Sequence, residues 1–210
     1  MTGRPGSRRR RGKAEADRSW TGLLIRNTVL WLAPVTLIWL LLTPLYNRFL
    51  LESAQRLLNL TESPAVTDLA PAGGDGHDAF IARRDFTPVR RRVHSFRVTD
   101  LHFHFLLLGA LFLGVPRIGW RQRLANLGLA CVASVCFDVV LLFFYVKFIY
   151  ATQLGAWSLA HYGPFARNFY GLGKHLLDLP FKLALPLVLW SAFYLPRLLQ
   201  ESGRAASVAS

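Results

Sequence analysis

Four apolar stretches, each with basic residues near its ends, constrain this chain more than any other feature, because segments of that length and composition fold as helices across a lipid bilayer. Asn27 to Asn47 runs 21 residues without a charge, and as a helix it measures about 31 Å, one hydrocarbon core. Leu101 to Val115 is shorter, about 22 Å of helix, and Leu124 to Tyr150 is longer, about 40 Å, with Asp138 and Lys147 inside it. Phe181 to Leu199 is of ordinary length and opens beside Lys182. The expected fold is an all-α integral membrane protein with four transmembrane helices and a small extracytoplasmic element, a β-hairpin, between the first two. On this reading residues 1–26 are a basic cytoplasmic tail, 27–51 helix one, 52–100 the extracytoplasmic segment, 101–116 helix two and 117–123 a cytoplasmic turn. Residues 124–150 are helix three, 151–180 an aromatic interfacial loop, 181–199 helix four and 200–210 a cytoplasmic tail.

With 52% of its 210 residues hydrophobic, the chain is too apolar to hide them all in one soluble core. Its net charge of +13 then has to be read by position. Eight of the 25 basic residues precede Asn27, among them Arg8, Arg9, Arg10 and Arg11. A basic tail set directly before a membrane helix fixes topology and touches anionic headgroups, so the lipid bilayer is the expected partner here and nucleic acid is not. Placing that tail inside also places Arg117, Arg121 and Arg123 inside, together with both termini. The first apolar stretch is too long for a signal peptide, and Asn47-Arg48-Phe49 follows it where small residues would mark a cleavage site, so an uncleaved anchor is expected. Preference for Arg over Lys points to a GC-rich bacterial genome and hence to the inner membrane.

Between the first two helices, Phe49, Leu50, Leu51, Ala54, Leu57 and Leu58 keep helical spacing, which either prolongs helix one or lays a short amphipathic helix on the interface. Phe80 to Phe86 and Val89 to Val98 read as the hairpin, made basic by Arg83, Arg84, Arg90, Arg91, Arg92 and Arg97. So few apolar groups hold no core alone, and the element must lean on the membrane helices or on a partner. The arginines are expected to be solvated or at headgroup level, with docking of an acidic partner as the alternative. Cys131 and Cys136 point about 140° apart on one helix and are expected to be packing residues. His161 and His175 read as interfacial.

An acid inside a membrane helix is costly unless it faces the bundle and finds a partner, so Asp138 is a site candidate. Cys131, Ser134, Asp138 and Tyr145 share a helical stripe. A tight turn from Pro116 to Arg123 folds helices two and three into an antiparallel pair, which sets Ala110 against Ala130 and brings Asp138 level with His102, one turn from His104. The candidate intramembrane polar site is therefore Asp138, His102, His104, Ser134 and Tyr145, open both to a register-fixing role and to a proton relay, metal or substrate contact. On a helix the two histidines point to opposite sides, so they share no metal there, and neither metal nor cofactor is expected.

No P-loop, Gly-x-Ser-x-Gly or His-Glu-x-x-His occurs, and no catalytic residue is assigned. The order of features, Leu30-Trp31-Leu32-Ala33-Pro34, Thr43-Pro44-Leu45, then His104-Phe105-Leu106-Leu107-Leu108-Gly109-Ala110-Leu111-Phe112-Leu113-Gly114-Val115-Pro116, and Leu185-Pro186-Leu187-Val188-Leu189-Trp190, resembles the exosortase H-associated membrane proteins of bacteria. The likeness runs from about Leu30 to Leu199, and the basic tail and the segment from Ala151 to Pro180 contribute nothing to it. It implies an inner-membrane accessory to a protein-sorting system, partnered by an exosortase-like protein, with no catalytic residues to carry over. Exosortases are similar to cysteine transpeptidases that use Cys, Arg and His, but neither Cys131 nor Cys136 has an Arg or His at suitable spacing in its own helix. The reading is thus a non-catalytic accessory or assembly subunit, with a small transport or proton-relay component centred on Asp138 as the alternative and an enzyme third. A reporter active only outside the cytoplasm is expected to work when fused after Gly74 or Tyr162 and to fail after Trp120 or Ser210. The reverse pattern refutes this topology.

Overall fold

The computed structural model describes residues 6–72, 77–88 and 91–207, with backbone alone for 6–19 and 197–207. Helix α1 (Gly6–Thr61) leads into strands β1 (Thr67–Pro71), β2 (Asp78–Arg83) and β3 (Arg92–Arg97), and a 3-10 turn at Thr99–Leu101 precedes α2 (His104–Gly114). Then come α3 (Trp120–Thr152), α4 (Ala156–His161), α5 (Pro164–Leu176), a π-helical turn at Leu177–Phe181 and α6 (Lys182–Ser207). Three helical runs are long and apolar enough to cross a membrane: Trp20–Thr61, Trp120–Thr152 and Pro164–Pro196. Their outward side chains are apolar, Leu41 being 81% exposed, which is lipid-facing chemistry.

Several sequence boundaries move. Helix one does not stop at residue 51: the stripe Leu50, Leu51, Ala54, Leu58 finds an apolar partner in the sheet, so α1 runs on to Thr61 and into the N-terminal segment from Gly6. Helix two shrinks from 101–116 to the eleven residues of α2, about 16 Å, because His102 leaves the helical region at φ −121°. Trp120 starts α3 inside the segment read as a turn, and α6 continues to Ser207. The aromatic segment 151–180 is not a loop. Pro164 starts α5 at its first turn, and Phe165, Phe169, Leu172, Leu176 and Leu179 then recur at helical spacing on the exposed side. Gly171 and Gly173, which look like loop formers, instead lie against the rings of Phe148 and Phe144 on α3.

Between α1 and α2 the backbones come close. A Cβ at Gly114 would lie 2.8 Å from the Thr28 backbone nitrogen, so only glycine fits there. Ala110 and Ala130 are both fully buried, Ala130 in an inner cluster with Leu108, Phe112, Val115 and Tyr194. An outer cluster joins the end of α1 to Leu69, Ala79, Ile81 and Val98 around the sheet and to Leu141, Leu142, Val146, Ile149 and Tyr150 of α3. The sheet thus leans on the helices.

The sheet has three antiparallel strands in the order β1-β2-β3, one more than the hairpin read from the sequence. Val89 and Arg90 of that reading lie outside the described residues. Strand β1 escapes notice in the sequence because its outer edge is completed by a helix, not by a strand. Gln55 of α1 accepts from the Leu69 amide at 2.7 Å and donates to the Thr67 carbonyl at 2.8 Å. Glu62 continues that cap, accepting from the Thr67 amide at 3.1 Å and from its hydroxyl at 2.8 Å. Lys147 of α3 completes it with an ion pair to Glu62 at 2.7 Å, and Tyr150 bonds the Thr67 hydroxyl at 2.9 Å. On the other side Arg83, expected in solvent, is buried: its guanidinium lies 4.2 Å above the Trp157 ring and forms a two-pronged bond to Asp85 at 3.0 and 2.7 Å.

Burial pushes the Glu62 pKa up, but the bonds from Lys147 and Thr67 outweigh it and hold the carboxyl below its ordinary range. The bond from Arg83 holds Asp85 down in the same sense. A depressed carboxyl contributes stability that is complete at neutral pH and is lost as pH falls through about 4 and below. Glu62→Gln is therefore expected to flatten the acid limb of thermal stability in detergent. Lys147→Ala, which strands a buried carboxylate, is expected to cost about 3–5 kcal/mol. A wild-type acid limb in the first variant overturns the assignment.

Candidate functional site

Asp138 and Ser134 lie one turn apart on the inward face of α3, both fully buried. Opposite them α1 presents Tyr46 and Asn47, just below the stripe that enters the sheet. The Tyr46 hydroxyl donates to Asp138 Oδ2 at 2.7 Å. This partner is the main one that sequence reasoning missed, because Tyr46 stands 92 positions away and no periodicity links it to Asp138.

His102 and His104 do not diverge, contrary to their spacing. His102 sits in the irregular link before α2, so both rings turn inward, at 1% and 2% exposure. Each then meets a different set of groups. Trp39 Nε1 donates to His102 Nδ1 at 3.2 Å, which makes that nitrogen an acceptor and puts the proton on Nε2. From Nε2 the ring donates to Asn47 Oδ1 at 2.6 Å. His102 is thus a neutral, fully used imidazole, and the Tyr46 ring meets it edge-on at 4.7 Å. His104, not His102, faces the acid: its Nδ1 lies 3.8 Å from Asp138 Oδ1, too far for a hydrogen bond and close enough for an ion pair once the ring is protonated. It stacks on Phe105 and meets Phe137 edge-on.

Four buried atoms in this small space have no hydrogen-bond partner: both nitrogens of His104, Ser134 Oγ and Asp138 Oδ1. Each such group costs on the order of 1–3 kcal/mol, and a fold that keeps several together holds them there against its stability. Among the described residues no group of three or more His, Cys, Asp and Glu is placed to hold a metal ion.

Tyr145 leaves the site. It lies two turns further out on α3, where its hydroxyl bonds His94 Nε2 of β3 at 3.0 Å. Cys131 and Cys136 are free thiols, the first partly buried and the second exposed. Toward the other end of the bundle, Arg123 donates to the carbonyls of Leu113 and Ile118, each at 2.8 Å, and so caps the end of α2. Arg117 adopts a positive φ of 61° in the intervening turn, and it and Arg121 are exposed. The side chains of Arg8, Arg9, Arg10 and Arg11 lie outside the described residues. A second charge set, half-buried Lys174 and Asp178 with buried Lys182, runs along one face of α5, the π turn and α6, with ion pairs of 3.0 and 2.7 Å. Lys182 also donates to the Asp100 carbonyl at 3.0 Å, tying this run to the start of α2.

Compared with known protein families, with curated proteins and with solved structures, the chain matches none.

Removing the Tyr46 hydroxyl leaves both carboxylate oxygens of Asp138 without a donor. Tyr46→Phe is expected to lower stability by about 1–3 kcal/mol, and a cycle with Asp138→Asn is expected to show coupling of about 0.5–3 kcal/mol. The same cycle on His104 is expected to couple and that on His102 to be additive, as read by thermal unfolding in detergent. Coupling through His102 alone contradicts the geometry.

Proposed function

We propose that the chain is a non-catalytic accessory or assembly subunit of the bacterial inner membrane, with four crossings, both termini cytoplasmic and the sheet outside. The fourth crossing in this reading is α2. It is short, but the capping Arg123 supports an inner position for its C-terminal end, and His104 supports an outer position for its start. The observation that carries the accessory reading is the way the sheet is held. Gln55, Glu62, Lys147 and Arg83 fix it to two membrane helices, while Arg84, Arg91, Arg92 and Arg97 remain exposed on it. Asp68 lies 3.8 Å from Arg84 and 3.6 Å from Arg91, and Asp78 lies 3.8 Å from Arg97; exposed pairs of that length contribute under about 1 kcal/mol each. These arginines are therefore poorly satisfied within the chain, and a rigid basic platform suits an acidic surface on a neighbouring membrane protein. The resemblance of the apolar segments points to an exosortase-type sorting protein as that neighbour.

A second reading is a small transport or proton-relay component. The unpartnered atoms of Asp138, His104 and Ser134 favour it, since a buried acid and imidazole within ion-pair distance suit proton exchange.

The two readings separate in one pair of measurements. Chain carrying Arg91→Glu, Arg92→Glu and Arg97→Glu is expected to keep its thermal midpoint and to lose a membrane protein that co-purifies with the wild type. Purified wild-type chain in liposomes is expected to carry no proton flux. Flux abolished by Asp138→Asn overturns the accessory reading and installs the relay.

A further inference from the structure

A long apolar slot of about 340 Å³ lies between α1, α2 and α3. On α1 its wall is the stripe Val35, Trp39, Leu42, Tyr46, on α3 it is Leu127, Cys131, Val135, and on α2 it is Phe105, Gly109 and Leu113, with Gly109 so close to Val35 that a Cβ there would lie 2.8 Å from Val35 Cγ1. Each stripe advances by three or four residues, so the slot runs along the helices and not across them. The α1 stripe covers three turns, about 16 Å, so the slot is elongated along the bundle.

The chemistry of the walls narrows the occupant further. The polar groups that reach the slot are spent within the protein: Trp39 on His102, His102 on Asn47, Tyr46 on Asp138, and Thr43 on the Trp39 carbonyl at 2.7 Å. Beyond the weak thiol of Cys131 the slot offers almost nothing to a hydrogen bond, and an occupant with polar atoms would leave them unpaired. Ile38 and Leu42 at its rim are each 53% exposed, and they belong to the same apolar band of α1 as Leu41 and Leu45.

We propose that this slot is the binding site for one acyl chain of a membrane phospholipid, lying parallel to the helices with its outer end against the Trp39, Tyr46 and His102 rings. The site is distinct from the Asp138 cluster, from which the Tyr46 ring separates it. It also needs no partner protein, so it stands or falls independently of the accessory reading.

The test is photocrosslinking of the full chain in nanodiscs of phosphatidylglycerol carrying a mid-chain diazirine, with adducts mapped by mass spectrometry. Leu41 and Val132, which face outward, serve as the reference for lipid passing along the surface. Adducts at Leu127, Cys131 and Val135 are expected to exceed that reference several-fold. Val135→Trp and the smaller Cys131→Leu fill the slot, and whichever keeps the wild-type thermal midpoint is expected to lose the slot adducts while keeping those at Leu41. A wild-type map with no excess in the slot overturns the proposal even if both variants unfold. So does a disulfide between chains carrying Ile38→Cys, which would make a second copy the occupant.

Discussion

The Glu62–Lys147 ion pair is the contact on which the seating of the sheet depends. It stands where α1 ends, and it brings together the helix that enters the sheet, the strand Thr67 begins and the helix that supports both. A carboxylate and an ammonium buried to this degree are retained only with further hydrogen bonds, and here Thr67 supplies them to Glu62 from its amide and its hydroxyl, the latter held in turn by Tyr150. Without the pair, β1 loses the cap on its open edge, and a three-stranded sheet of this size has too little apolar area to stand alone. The sheet is thus less a domain than an extension of the helix bundle, carried on α1 and α3.

That the chain carries apolar helices long enough to cross a bilayer was legible in the sequence, since hydrophobic runs of that length leave few alternatives, although three such helices are found among the described residues where four were expected. The inward acid was legible too, because Asp138 breaks an apolar helix. What escaped was everything decided by partners distant in sequence. Tyr46, Trp39 and Asn47 have no local signature, yet they determine which histidine is spent and which faces the acid. Lys147 was visible as a charge, but its counter-ion lies 85 positions away. Segment 151–180 misled for a different reason. Its glycines and aromatic rings suit an interface by composition, whereas in the structure the glycines admit the phenylalanine rings of α3, and the rest follows helical spacing.

The two histidines show how a change of one residue's backbone redistributes chemistry. Had Thr99 to Gly114 formed one helix, His102 and His104 would have stood on opposite sides. The bend at His102 turns both inward and gives them different tasks: one closes a chain of hydrogen bonds from Trp39 to Asn47, and the other is left facing Asp138 with both nitrogens unused. Polar order and polar deficiency thus sit a few ångströms apart, divided by the Tyr46 ring.

Helix α1 passes from the N-terminal segment through the apolar band and into the sheet with no break between Gly6 and Thr61, despite Pro34 and Pro44. At 56 residues it measures about 84 Å, nearly three hydrocarbon thicknesses. Each proline leaves a turn of α1 without one backbone hydrogen bond, so a bend in it falls within the apolar band and not between that band and the sheet. When a helix adjusts its tilt to a thinner or thicker membrane, a jointed outer element keeps its heading, but one rigidly mounted on that helix swings with it. In a bilayer of changing thickness, the arginine-bearing sheet would therefore turn with the end of α1 that carries it.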